Sequence, residues 1–334
     1  MTTPLSPPAP NATTRRDRIA GVLVGSAVGD ALGVPYEFGA RFSGSPQMVG
    51  GGLGDYAPGE YSDDTQMAVC IALVSSTGGD LRSEATLDAV ASNFIGWLTG
   101  GATDVGVQTR SVLTGAKSGP GAAGRLRDRA ARLHERTGRS AGNGALMRTG
   151  VVGVTQLGDR VATAATAEAV AVLTHWDPLA VESCILWSEA VRRAVQDGTW
   201  DLVGGLDLLP PARQAAWREW IDAATGAEPG SFANNGFTVA ALQAAWAAIT
   251  STANETDPTA HVMAGIEAAV HAGNDTDTVA AIAGSLLGAR YGRSAIPADW
   301  RVRINGWPGG LTERDLANLA LRSAGKDELT GDEA

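Results

Sequence analysis

Two short acidic segments, remote from each other in the chain, carry its clearest chemistry. Tyr61-Ser62-Asp63-Asp64-Thr65 precedes an apolar run that begins at Met67, and Gly273-Asn274-Asp275-Thr276-Asp277-Thr278 precedes another, Val279 to Gly284. Each sets two carboxylates and flanking hydroxyls at the mouth of a helix apolar enough to be buried. Taken singly, each reads as ordinary capping: Ser62 as N-cap, acids in the first turn, stabilised by the helix dipole at ~0.3–1 kcal/mol. If the two mouths converge, four carboxylates meet, and charges at that density stay ionised only with cations between them. All the donors are oxygen, which suits hard divalent ions, Mg²⁺ or Mn²⁺ before Ca²⁺. Zinc has no matching set, because His134, His175, His261 and His271 are scattered and Cys70 and Cys184 stand far apart. Two cations sharing a carboxylate would activate a water.

Four further segments offer polar groups near helix ends. Gly25-Ser26-Ala27-Val28-Gly29-Asp30-Ala31-Leu32-Gly33 reads as a helix with small residues spaced for close packing, ended by Gly33 and Pro35, with Glu37 in the loop beyond. Thr103-Asp104-Val105-Gly106 reads as an N-cap aspartate, and as a site residue if the mouths converge. Ser140-Ala141-Gly142-Asn143-Gly144-Ala145-Leu146-Met147-Arg148 reads as a glycine loop opening an apolar helix, Leu146 to Leu157. Backbone N–H groups at such a place suit a pyrophosphate, although neither a Walker loop nor a dinucleotide fingerprint is present. Thr174-His175-Trp176-Asp177-Pro178 joins two helices, and His175 can cap, pack in the core, or stack on a base or ribose.

The elements that position these residues are helical. In Glu84–Gly100 the residues Leu87, Val90, Ala91, Phe94, Ile95 and Leu98 recur at steps of three and four, which makes one apolar face. Pro178–Gly198 repeats the pattern, and Asn235–Thr250, Thr259–Ala272 and Thr276–Tyr291 are alanine-rich helices. Runs of alternating polarity are few, so the expectation is all-α: one compact multi-helix domain over residues 15–324, after a disordered lead-in at 1–14 and before a frayed tail from 325. The 26 basic and 36 acidic side chains give a net charge of −10, which disfavours nucleic acid as the main partner. No uninterrupted apolar stretch of ~18 residues predicts a membrane span. Two cysteines in apolar helices read as buried free thiols of a cytoplasmic protein.

Together, in order, these motifs resemble the ADP-ribosylglycohydrolase family, from about Arg18 to Gly292. The resemblance implies an all-α fold with a binuclear Mg²⁺ or Mn²⁺ site at the bottom of a cleft. By position, Ser62, Asp63 and Asp64 match ligands from one mouth, and Asp275, Asp277 and Thr278 from the other, with Asp277 as the bridge. Glu37 matches a mobile glutamate near the metals, and Asp104 an acid near the scissile ribose. Gly142, Asn143, Gly144 and Ala145 match the diphosphate loop, with Ala145 where some members carry serine. His175 matches a position near the adenosine. The implied activity is hydrolysis of the N- or O-glycosidic bond between ADP-ribose and an acceptor. A non-catalytic ADP-ribose-binding relative and a di-metal phosphatase or pyrophosphatase are the rival readings. The segments 198–235 and 296–324 match nothing in the family pattern and are candidates for the acceptor side.

Overall fold

Helices supply the regular structure throughout residues 12–325, the part of the chain that this computed structural model describes. They are α1 (Ala12–Gly33), α2 (Asp63–Ser75), α3 (Glu84–Thr99), α4 (Val107–Leu113), α5 (Ala122–Thr137), α6 (Arg160–Ala171) and α7 (Pro178–Asp197). Then follow α8 (Pro211–Ala224), α9 (Thr238–Ser251), α10 (Pro258–His271), α11 (Thr276–Tyr291), the single turn α12 (Ala298–Arg301) and α13 (Glu313–Ser323). Among the described residues there is no strand, only isolated bridges. The periodicity-based helices fall within a few residues of these bounds. Local chemistry explains the ends: α7 starts behind Asp177, which accepts from the Leu179 N–H, with Pro178 first in the helix, and it stops at Gly198 in the left-handed region.

The architecture turns on α1 and α11. Glycines at 21, 25, 29 and 33 lie four apart, so they share one face of α1. A Cβ on Gly21, Gly25 or Gly29 would sit 2.0–2.2 Å from the carbonyl oxygens of Gly288, Gly284 and Ala280, and one on Gly33 would sit 2.3 Å from Asp277 Cα. The partners run in reverse order, so the helices are antiparallel and touch backbone to backbone. From Ile19 onward α1 is buried, as is nearly all of α11, and α2, α7, α9, α10 and α13 pack around the pair in one compact domain. Gly25→Ala should therefore cost roughly 1–3 kcal/mol, since a carbonyl cannot yield to a methyl. A lowered urea midpoint at unchanged slope would show it, and a midpoint equal to wild type would reject the backbone contact.

Two expectations need correction. Ala12 to Thr14, assigned to the lead-in, begin α1, since no proline or glycine interrupts the chain from Ala12 to Ala20; residues 1–11 and 326–334 lie outside the described residues. Leu146 to Leu157 is not an α-helix: turns lead into a short 3₁₀ segment, Gly150–Val154. Packing leaves glycine alone there, since a Cβ on Gly150 would lie 2.8 Å from Ser285 Cβ and one on Gly153 2.7 Å from Ser188 O, and glycine together with β-branched Val151, Val152 and Val154 favours an α-helix little. By length and composition Arg15–Tyr36 is long and apolar enough to cross a bilayer, yet 89% of its most apolar window is buried inside the fold.

Candidate functional site

Antiparallel packing carries the C-terminal end of α1 to the N-terminal end of α11, and Asp30 then draws in α2. Its carboxylate accepts from Ser62 N at 2.8 Å, Thr65 N at 3.0 Å and Thr65 Oγ1 at 2.6 Å. Of these, Thr65 N is the donor that the N-cap side chain of α2 would ordinarily satisfy. Capping thus comes from another helix, and Ser62, at the N-cap position, makes no side-chain cap bond. Its hydroxyl instead faces Asp64 Oδ2 at 3.1 Å and Asp277 Oδ2 at 3.3 Å. Asp275 holds the N-cap position of α11 and also makes no cap bond; it accepts from Asn143 Nδ2 at 2.8 Å. Capping accounts for neither side chain, and the two mouths meet.

Electrostatics at the meeting point is adverse. Carboxylate oxygens of Asp30, Asp64 and Asp277 lie within 4.8 Å of one another, as do those of Glu37, Asp104 and Asp277. Burial, then mutual repulsion, holds Asp63, Asp64 and Asp277 well above the usual carboxylate range. Asp30 is pushed up only to about 6, because its hydrogen bonds offset burial. Asp64 Oδ1 is buried with no hydrogen-bond partner. An orphaned carboxylate oxygen among oxygen-only donors fits a hard divalent cation, and the clustered carboxylates of Asp30, Asp64 and Asp277 could hold one. The ends of α2 and α11 add two positive dipole ends, which ease the crowding in part.

A cavity of about 400 Å³ opens over this floor, within the usual range of ligand sites. Glu37 lies on its wall, pushed up to about 9 by burial and by Asp104, Asp275, Asp63 and Asp30. Asp104 faces it and accepts a hydrogen bond from it; α4 starts behind Gly106, so the N-cap expectation for Asp104 is corrected. The Glu37 loop is pinned to α11 by Phe38 N donating to Asn274 O at 2.7 Å, with both residues at positive φ, 47° and 58°. Left-handed backbone at a bulky Phe is strain of a kind found at functional sites. Gly142, Asn143, Gly144 and His175 also line the cavity, whereas Ala145 is buried and does not reach it. The Asn143 amide is spent on Asp275 and Asn235 O, so this loop positions an acid as well as lining the cavity.

Asp30 and Asn235 escaped the sequence reading as site residues. Asp30 carried a signal: the one carboxylate in the apolar, glycine-faced stretch from Ile19 to Gly33. Asn235 carried none; it ends the unassigned segment 198–235, is fully buried, and accepts from Asp275 N at 3.2 Å. The other unassigned segment also supports the floor, since Tyr61 N donates to Asn305 O and Tyr61 OH to Trp307 O.

An all-α fold in which two helix mouths gather acids able to hold metal ions beneath a ligand-sized cavity defines the class. Within it, the chain belongs to the ADP-ribosylglycohydrolase family, whose sequence profile it matches over residues 11–332. It is 28% identical over 315 residues to the ADP-ribosylarginine hydrolase Tri1 of Serratia proteamaculans, covering 91% of this chain and 78% of that one. It is 27% identical to the ADP-ribosyl-[dinitrogen reductase] glycohydrolase of Rhodospirillum rubrum, covering 86% and 90%. A solved structure described as an ADP-ribosylglycohydrolase-related protein complex superposes with a TM-score of 0.67 at 26% identity, covering 93% of this chain and 98% of that one.

Proposed function

We propose that this protein is a divalent-cation-dependent hydrolase that cleaves the N- or O-glycosidic bond between ADP-ribose and an acceptor, releasing ADP-ribose. The observation that carries this reading is the meeting of Ser62 and Asp64 with Asp277, which lines one cavity together with Asp63, Asp275 and Thr278. Two cations, Mg²⁺ or Mn²⁺, would be held by Ser62, Asp63 and Asp64 on one side and by Asp275 and Thr278 on the other, with Asp277 between. When bound, they supply Lewis acidity towards ribose hydroxyls and a water. Glu37, which keeps its proton beside Asp104, would donate to the leaving group, and Asp104 would accept in turn. Such a role is worth ~10²–10⁴-fold at an oxocarbenium-like transition state. Gly142, Gly144 and His175 form the wall that receives the diphosphate and adenosine. The two buried free thiols suit a cytoplasmic setting.

The acceptor is open, and the names of the relatives put an arginine linkage first in the panel. Substrates bearing ADP-ribose on arginine, on serine and on a nucleobase, assayed with Mn²⁺, Mg²⁺ or chelator, should give free ADP-ribose from at least one linkage, and only with cation. AMP or phosphate as product would instead assign a diphosphate-cleaving enzyme. ADP-ribose binding without product from any linkage would assign the non-catalytic reading.

A further inference from the structure

The proposed reaction leaves one buried charge unused. Arg148 is wholly buried and makes no ion pair among the described residues. Its guanidinium lies 4.4 Å from the centre of the Phe94 ring, Nη1 points at Met67 Sδ at 3.6 Å, and Nε has no partner. Burial pushes the neighbouring Cys70 and Cys184 thiols up, so neither supplies a counter-charge. Burying a cation without a counter-charge carries a desolvation cost that no ion pair offsets. The strong bond of Arg148 is elsewhere: Nη2 donates to Thr174 Oγ1 at 2.7 Å.

Thr174 Oγ1 has one other partner, His175 Nδ1, at 2.8 Å. Arg148 can only donate, so the buried Thr174 hydroxyl must spend its own hydrogen on Nδ1. The imidazole proton then sits on Nε2. That edge faces the glycine loop: a Cβ on Gly142 would lie 3.4 Å from Nε2, and one on Gly144 3.3 Å. The ring therefore packs flush against bare backbone, with Nε2 at the cavity wall. Apart from His175, the ionisable groups lining this cavity are acids, namely Glu37, Asp63, Asp104, Asp275 and Asp277. Burial and Arg148 lower His175 to about 3, so it remains a neutral donor.

We infer that Arg148 and Thr174 are positioning residues that fix His175 as an Nε2–H donor, polarised from behind, for an anionic oxygen of the ligand. The oxygen's identity as diphosphate rests on the proposed function; the relay does not. It is tested on the intact protein labelled with ¹⁵N-histidine, the His175 signals being assigned with His175→Asn. Wild type should show Nε2 protonated and Nδ1 bare at pH 7. Thr174→Val should mix the tautomers and weaken ADP-ribose binding by about tenfold, and Thr174→Ser should restore both. A proton on Nδ1 in wild type, or a Thr174→Val protein with unchanged tautomer and affinity, overturns the inference. If wild type binds no ADP-ribose, the functional reading falls, while the ¹⁵N pattern still decides the relay.

Discussion

Replacing Asp277 with Asn is expected to stop release of ADP-ribose while making the cation-free protein harder to melt. Asp277 Oδ1 accepts from Thr278 N at 2.9 Å and Oδ2 faces the Ser62 hydroxyl at 3.3 Å. Asparagine keeps the shape and one acceptor, and its amide N–H can turn to the carboxylate of Asp64. One buried repulsion disappears, which should add roughly 1–3 kcal/mol, the equivalent of one to two pKa units. Turnover should fall by about 10²–10³-fold or more, because the carboxylate placed between both ligand groups has lost its charge. The stabilisation that Mn²⁺ gives wild type should shrink with it. Turnover within tenfold of wild type would remove Asp277 from the machinery. A lower melting point with the Mn²⁺ response intact would mean that the acids are not strained against one another.

That coupling of function to strain also explains what a linear reading can see. Helix positions were legible because periodicity, Asp-Pro starts and glycine stops act within a few residues. The acid pairs were legible as residue types at helix mouths, and so was the close-packing role of the small residues in α1. What no local pattern contains is direction. The antiparallel match of Gly21, Gly25 and Gly29 with Gly288, Gly284 and Ala280 alone brings Glu37 and Asp30 to Asp277. The capping reading of Ser62 failed for the same reason: its competitor, Asp30, arrives from another helix. The glycine loop misled differently. Its apolar continuation looks helical in composition, but it takes a 3₁₀ path whose glycines sit where Ser285 and Ser188 leave no room for a Cβ.

The cation-free protein should lose stability as pH rises from 7 to 9, by on the order of 5–10 °C in Tm, and divalent cation should remove most of that slope. The sign follows from where protons reside. In the unfolded chain Asp and Glu titrate near ~4, so above pH 7 they hold none. In the folded chain Glu37 holds its proton up to about 9, and Asp63, Asp64 and Asp277 are raised well above the ordinary range. The native state therefore binds more protons across this window, and stability drops by about 1.4 kcal/mol per pH unit for each proton retained. His175 and His261 act in the opposite sense, because burial lowers both, but their contribution is complete once pH exceeds the unfolded value of ~6.5. Starting at pH 7 keeps the two effects apart. Cations replace the protons as counter-charges, so melting in Mn²⁺ should be nearly flat over the same range. A Tm that rises from pH 7 to 9 in chelator, or a slope that Mn²⁺ and Mg²⁺ leave unchanged, would show that these carboxylates are neither protonated in the fold nor gathered for a metal.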